Sequence, residues 1–119
     1  MANITPVQRT LKYFRSKGWV CEKVERWNPY AGKRQDVFGF IDVMAILPEC
    51  ICGIQACGQA FSAHDKKIRA SGKARKWVEA GQKVILCGWR KVKKKRGGKM
   101  YIWRPRIKEY TLEDFEDEI

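Results

Sequence analysis

The sequence predicts an α/β domain in which helices flank a mixed sheet, with one further strand added by a C-terminal hairpin. Three observations carry this expectation. A capped, amphipathic helical stretch opens the chain. Two adjacent apolar runs, 37–47 and 50–57, have the length and content of strands buried on both faces. A second helical stretch then separates these runs from another strand-rich segment, the order of a crossover that returns to the same sheet.

Thr5 is placed to cap the first helix, Pro6 suits its first position and Gly18 suits its end. Val7, Leu11, Phe14 and Tyr13 share one face, while Arg9, Lys12, Arg15 and Lys17 point elsewhere. From Trp19 to Trp27 the residues alternate as a strand does, and Asn28-Pro29 ends the pattern. Tyr30 to Asp36 is a polar loop containing Gly32. The run from Val37 to Leu47 and the run from Cys50 to Cys57, separated by Pro48-Glu49, predict an antiparallel pair.

Ser62 or Ala63 starts a helical stretch that reaches Ala80, with Gly81 as its stop and Ser62 and Asp65 spaced as a capping arrangement. Ser71-Gly72 is a weak point that predicts two helices rather than one. Lys83 to Lys91 reads as a strand, followed by a basic hairpin tip, 93–99. Gly97-Gly98 supplies the positive φ that a tight turn needs. A strand from Met100 to Tyr110 completes one domain, 1–110, and 111–119 is an acidic tail that frays or lies over basic surface.

Charge is the strongest global signal. The chain has 25 Lys+Arg against 13 Asp+Glu, a net +12. Six of the acids stand in the last 11 residues, leaving 25 basic against 7 acidic side chains on residues 1–108. A field of that size attracts polyanions and makes binding depend on salt. Nucleic acid is therefore the expected partner, DNA first and RNA second. A membrane is not expected: no apolar run approaches the roughly 20 residues that span a bilayer. The start of the chain lacks the basic and apolar regions of a signal peptide, so a cytoplasmic location is expected. Five cysteines at irregular spacings read as free thiols. Cys50, Cys52 and Cys57 with His64 do not match the paired spacing of common zinc sites.

The residue that most constrains the chemistry is Asp42. A carboxylate inside an apolar run costs several kcal/mol unless an arginine, hydrogen bonds or a metal ion satisfies it. Gln55 sits in a similar setting on the neighbouring run, where it is either a core amide or a carbonyl donor to a hard cation. Asp36, just before the first run, can add another oxygen. Arg34, Lys66, Lys67, Arg69, Lys73, Arg75 and Lys76 recur through the loop and the helical stretch. Arg90, Lys93, Lys94, Lys95, Arg96 and Lys99 cover the hairpin. These are the expected contacts to a phosphate backbone. Trp89 and Trp103 flank the hairpin, where cross-strand packing is the simpler role and stacking on an exposed base the alternative.

The order helix–three strands–helix–strand resembles the core of the PD-(D/E)XK nuclease superfamily, the restriction-endonuclease-like fold. Gly39-Phe40-Ile41-Asp42-Val43-Met44-Ala45 resembles its first metal-binding segment, and Gly53-Ile54-Gln55-Ala56-Cys57 stands where its (D/E)-X-K segment stands. The nearest resemblance is to small phage and archaeal nucleases, including resolvases of branched DNA. It covers roughly residues 5–90. It implies a Mg²⁺- or Mn²⁺-dependent endonuclease with Asp42, Gln55 and Asp36 as metal ligands, and it makes a homodimer plausible. Gln55 replaces the usual acid and Cys57 the usual lysine. Asp36 is then the expected replacement carboxylate, and Lys66 or Lys67 the replacement lysine. The same departures leave a catalytically inactive DNA- or RNA-binding module of this fold as the alternative.

Overall fold

The computed structural model describes residues 4–115 of the 119-residue chain. Helix α1 (Pro6–Ser16) begins with the expected cap. The Thr5 hydroxyl accepts from the Gln8 N–H, and the Gln8 side chain accepts from the Thr5 N–H in return. Gly18, at φ 88°, takes the left-handed conformation that turns the chain into β1 (Val20–Lys23). The predicted strand 19–27 does not run on. It breaks after Lys23, and Arg26–Asn28 (β2) turns away to pair with Lys33–Gln35 (β3) in a separate two-stranded ribbon. The Asn28 side chain accepts from the Tyr30 and Ala31 N–H groups and closes that turn.

The apolar run 37–47 is strand only in its second half, Val43–Ile46 (β4). Its first half is a compact turn bridged between Val37 and Ile41, with Phe38 at φ 55° and Gly39 at φ 79°. Two successive left-handed residues cannot continue a strand, and the run stays apolar because Phe40 and Ile41 are buried. β5 (Ile51–Cys57) follows, antiparallel to β4 as expected.

Helix α2 (Phe61–Arg69) and helix α3 (Gly72–Glu79) divide at Ser71, whose hydroxyl accepts from the Ala74 N–H. The expected cap by Ser62 does not form. The helix starts one residue earlier on Ala60, and Asp65 instead accepts from Arg69 and from the Tyr110 hydroxyl. The crossover brings β6 (Lys83–Lys93) parallel to β5, and β7 (Tyr101–Glu109) pairs antiparallel with β6. Gly97, at φ 76°, makes the hairpin turn, whereas Gly98 does not need a positive φ.

The result is an α/β fold with a five-stranded mixed sheet, β1-β4-β5-β6-β7, covered by helices. On one face α1 packs Phe14 against Cys21, Val43, Cys52, Ile54 and Cys87. On the other, α2 and α3 bury Ile68 and Ala74 against Ile41, Cys57, Val84 and Leu86. The packed region runs past residue 110: Phe115 is buried beside Tyr110, and Asp114 pairs with Arg69 and Lys108. Glu116, Asp117 and Glu118 of the acidic tail lie outside the described residues. Among the described residues no helix is long and apolar enough to cross a membrane.

Candidate functional site

Val43 pairs with Ile54 in the β4–β5 ladder, so Asp42, one step before Val43, lies opposite Gln55 on the α2/α3 face. Both are 3% exposed. Asp42 Oδ2 accepts from the Ala56 N–H at 2.8 Å and from Gln55 Nε2 at 2.7 Å. Gln55 Nε2 also reaches Asp36 Oδ2 at 3.3 Å, so the loop acid joins the pair as the sequence suggested. The turn at 37–41 accomplishes this by folding Asp36 back beside Asp42.

The fold adds an acid that sequence reasoning missed. The Val24 and Glu25 N–H groups both donate to the Asp42 carbonyl, which holds Glu25 next to the pair. One oxygen each from Glu25, Asp36 and Asp42 lies within 4.8 Å of the others. Glu25 also receives Arg34 at 2.7 Å and Lys23 at 3.9 Å. No local pattern marks Glu25, because its place depends on where β1 breaks.

Three carboxylates this close, one of them buried, raise the cost of ionising Asp42. Burial is the main reason that the Asp42 carboxyl is pushed up to about 8, and its hydrogen bond with Asp36 and the charges of Asp36 and Glu25 add to the effect. The Ala56 N–H opposes the shift. Near neutral pH the Asp42 carboxyl is therefore held toward its protonated form. Removing that proton creates a demand for positive charge at this spot.

Gln55 supplies a further clue. Its Oε1 is buried without a hydrogen-bond partner, which costs about 1–3 kcal/mol. A half-turn of the terminal amide exchanges Nε2 and Oε1. The cluster then presents oxygens from Glu25, Asp36, Asp42 and Gln55. An all-oxygen set of this kind suits a hard divalent cation such as Mg²⁺ or Mn²⁺.

Beside the acids lies an open groove of about 490 Å³ lined by Lys33, Arg34, Asp36, Phe38, Lys67 and Lys73. Lys67 and Lys73, singled out in the sequence, thus join Lys33, which was not. Lys66 and Lys76 are exposed on the helices, away from the groove lining. Arg69 and Arg75 are engaged in ion pairs with Asp65, Asp114 and Glu79.

Cys57 is buried, and its thiol is raised to about 11, first by burial and then by the charge of Asp42. It remains a protonated, hydrophobic filler at neutral pH. Cys52 and Cys57 lie on opposite faces of β5, so they do not converge on one ion. His64 Nδ1 sits 2.8 Å from the Ala60 carbonyl at the start of α2.

The hairpin presents two different faces. Arg104, Arg106 and Lys108 alternate along β7 on the α2/α3 side with Arg90 of β6 beside them. Tyr101, Trp103 and Ile107 occupy the other face. Lys94, Lys95 and Lys99 surround the hairpin tip. Trp89 is packed inside and donates to the Thr10 hydroxyl, whereas Trp103 is 44% exposed under the Arg9 guanidinium. No protein-family model, curated protein or solved structure matches this chain.

Proposed function

We propose that this chain is a nuclease-fold protein that binds DNA and hydrolyses phosphodiester bonds with Mg²⁺ or Mn²⁺. The observation that carries the reading is the acid cluster Glu25–Asp36–Asp42, in which Asp42 is buried, beside the orphaned Gln55 oxygen, with Asp36 lining a groove shared with Lys33, Arg34, Lys67 and Lys73. The element order supports a restriction-endonuclease-like core: α1, the antiparallel meander β1-β4-β5, a helical crossover, then β6 parallel to β5.

In this reading Asp42, Asp36 and Glu25 hold the cation, and Gln55 turns its amide oxygen toward it. The cation supplies charge stabilisation at the phosphate and a more acidic bound water. Lys67 and Lys73 grip the strand through its phosphates. Lys67 also takes over the charge that the missing strand lysine would provide, while Cys57 contributes packing only. Arg34 must release Glu25 as the cation binds, and its guanidinium is then free for a phosphate.

A second reading is a DNA- or RNA-binding module of the same fold that does not cleave. One observation favours it: Gln55 Nε2 donates to both Asp36 and Asp42, which satisfies part of the acid cluster without a cation.

The test is a cleavage assay on linear, single-stranded and branched DNA with Mg²⁺ or Mn²⁺, run beside Asp42→Asn. The nuclease reading expects metal-dependent cutting that the substitution abolishes while DNA affinity is unchanged. Tight binding with no cutting by either protein establishes the second reading instead. Cutting that survives Asp42→Asn refutes this site assignment.

A further inference from the structure

The two-stranded ribbon β2–β3 is a sheet of its own, apart from the packed five-stranded one. From Arg26 to Gln35 every residue except Asn28 is exposed. Trp27 keeps 63% of its surface in solvent, and Tyr30, in the turn, keeps all of it. The same segment holds Arg26, Lys33 and Arg34 and no carboxylate. Arg34 is neutralised by Glu25 at 2.7 Å, whereas Arg26 and Lys33 form no ion pair among the described residues.

The ribbon is braced at both ends. The Asn28 side chain accepts from the Tyr30 and Ala31 N–H groups, and the Asn28 carbonyl accepts from the Gly32 N–H at 2.9 Å. Gly32, at φ 64°, takes the left-handed conformation that closes the turn. At the root, the Val24 and Glu25 N–H groups donate to the Asp42 carbonyl, and the Gly39 N–H donates to the Asp36 carbonyl. A bare two-stranded hairpin is marginal in water, and the exposed Trp27 and Tyr30 rings add little to the core. Exposed rings, unpaired cations and a braced turn describe a surface that meets an anionic partner outside the chain.

The root of the ribbon is the acid cluster itself. The first rung pairs Arg26 with Gln35, and Glu25 and Asp36 stand one residue outside it. At about 3.4 Å per residue, the last rung, Asn28 with Lys33, lies about 10 Å from those acids, and the turn extends beyond it. The two strands stand about 4.8 Å apart. The major groove of B-form DNA is about 12 Å wide and about 8.5 Å deep, and it admits a two-stranded ribbon. With the turn on the groove floor, Glu25 and Asp36 stand at the lip, where the phosphates run.

We propose that the β2–β3 ribbon enters the major groove of duplex DNA, with Tyr30 against the base edges. Trp27 and Arg34 share one face of the ribbon, and Arg26 and Lys33 share the other, so each groove wall meets at least one cation. The inference deepens the proposed function and rests on its DNA-binding part alone: the ribbon brings a strand of the duplex to the acids. Duplex RNA does not fit, because its A-form major groove is deep and narrow.

The test is equilibrium binding without divalent cation, so that it does not depend on cleavage. The probes are a fluorescein-labelled DNA duplex, the same duplex with glucosylated hydroxymethylcytosine for every cytosine, and an RNA duplex of the same sequence. The glucose fills the major groove and leaves the backbone charge unchanged. The wild-type chain is expected to bind the plain DNA duplex about tenfold tighter than either of the others. Trp27→Ala with Tyr30→Ala is expected to treat the two DNA duplexes alike. Both rings are exposed, so the folded state is expected to persist, as a thermal melt will check. The plain-against-glucosylated comparison uses the wild-type chain alone and stands whatever the stability of the variant. Equal wild-type affinity for the two DNA duplexes overturns the ribbon proposal and leaves DNA binding standing. A preference that survives in the variant overturns it too, since another element then occupies the groove. RNA bound as tightly as plain DNA overturns it in favour of an RNA-binding module. Failure of the wild-type chain to bind any of the three sinks the proposed function as well.

Discussion

Replacing Asp42 by Asn tests the electrostatics of the acid cluster on their own. The amide copies protonated Asp42 atom for atom. Asn Oδ1 accepts the bonds that Oδ2 now takes from Gln55 Nε2 and the Ala56 N–H. An unfolded aspartate titrates near 3.9, whereas burial and Asp36 hold folded Asp42 up to about 8. Between those values the folded chain binds more protons than the unfolded one, so wild-type stability falls as pH rises. The contribution of protonated Asp42 is complete below about pH 4 and is lost progressively up to about pH 8. The slope reaches about 1.4 kcal/mol per pH unit for a single group.

The amide has no such slope. The two proteins are therefore expected to be similar near pH 4, with Asp42→Asn ahead at pH 8. The whole span corresponds to about 6 kcal/mol, and relaxation around a buried charge reduces the expected gain to about 2–4 kcal/mol. Urea denaturation at pH 4.5, 6, 7 and 8 measures it. Mn²⁺ should raise the wild-type midpoint at pH 8 and leave the variant unchanged, because a cation that binds only the folded state stabilises it by mass action. A variant less stable than wild type at pH 8, or one with an undiminished pH slope, would refute the reasoning.

Other perturbations follow from the same structure. Lys67→Gln with Lys73→Gln should lower the salt dependence of DNA binding by about two units of slope in log K against log salt, since each lost phosphate contact removes about 0.9. An unchanged slope would place the backbone elsewhere. Gly88→Ala puts a Cβ 2.5 Å from the Phe61 ring, so a loss of about 1–3 kcal/mol is expected by denaturation. Phe61→Leu in the same chain should recover part of that loss. At pH 8 iodoacetamide should modify Cys50 first, as it is the one cysteine not buried. Mass spectrometry that finds Cys57 modified fastest would contradict the packing around it.

Elements with local causes were legible in the sequence. The Thr5–Pro6 start of α1, the break at Ser71 and the Gly97 turn each depend on residues within a few positions of one another. The apolar run 37–47 was misread in its first half, because Phe40 and Ile41 are buried in a turn as deeply as strand residues would be. Periodicity cannot separate those two cases. The polar loop before it hides β3, and β2 is absorbed into the alternating stretch 19–27; three-residue strands are too short to leave a pattern of their own.

The site divides the same way. Asp42 stood out because an ionised group in an apolar run demands a partner, and Gln55 stood out for the same reason. Glu25 and Lys33 carried no such mark. Both lie in polar sequence, and only the break after Lys23 and the fold-back at Phe38 bring them to the cluster and its groove.

Direct titration of Mn²⁺ into the chain at pH 7, read by electron paramagnetic resonance, tests most closely whether the Glu25–Asp36–Asp42 cluster is a cation site. One ion bound per chain, tighter at pH 8 than at pH 6 and absent in Asp42→Asn, is the expected result. No binding up to millimolar Mn²⁺, or binding indifferent to that substitution, would contradict it and leave the three acids as a purely structural group.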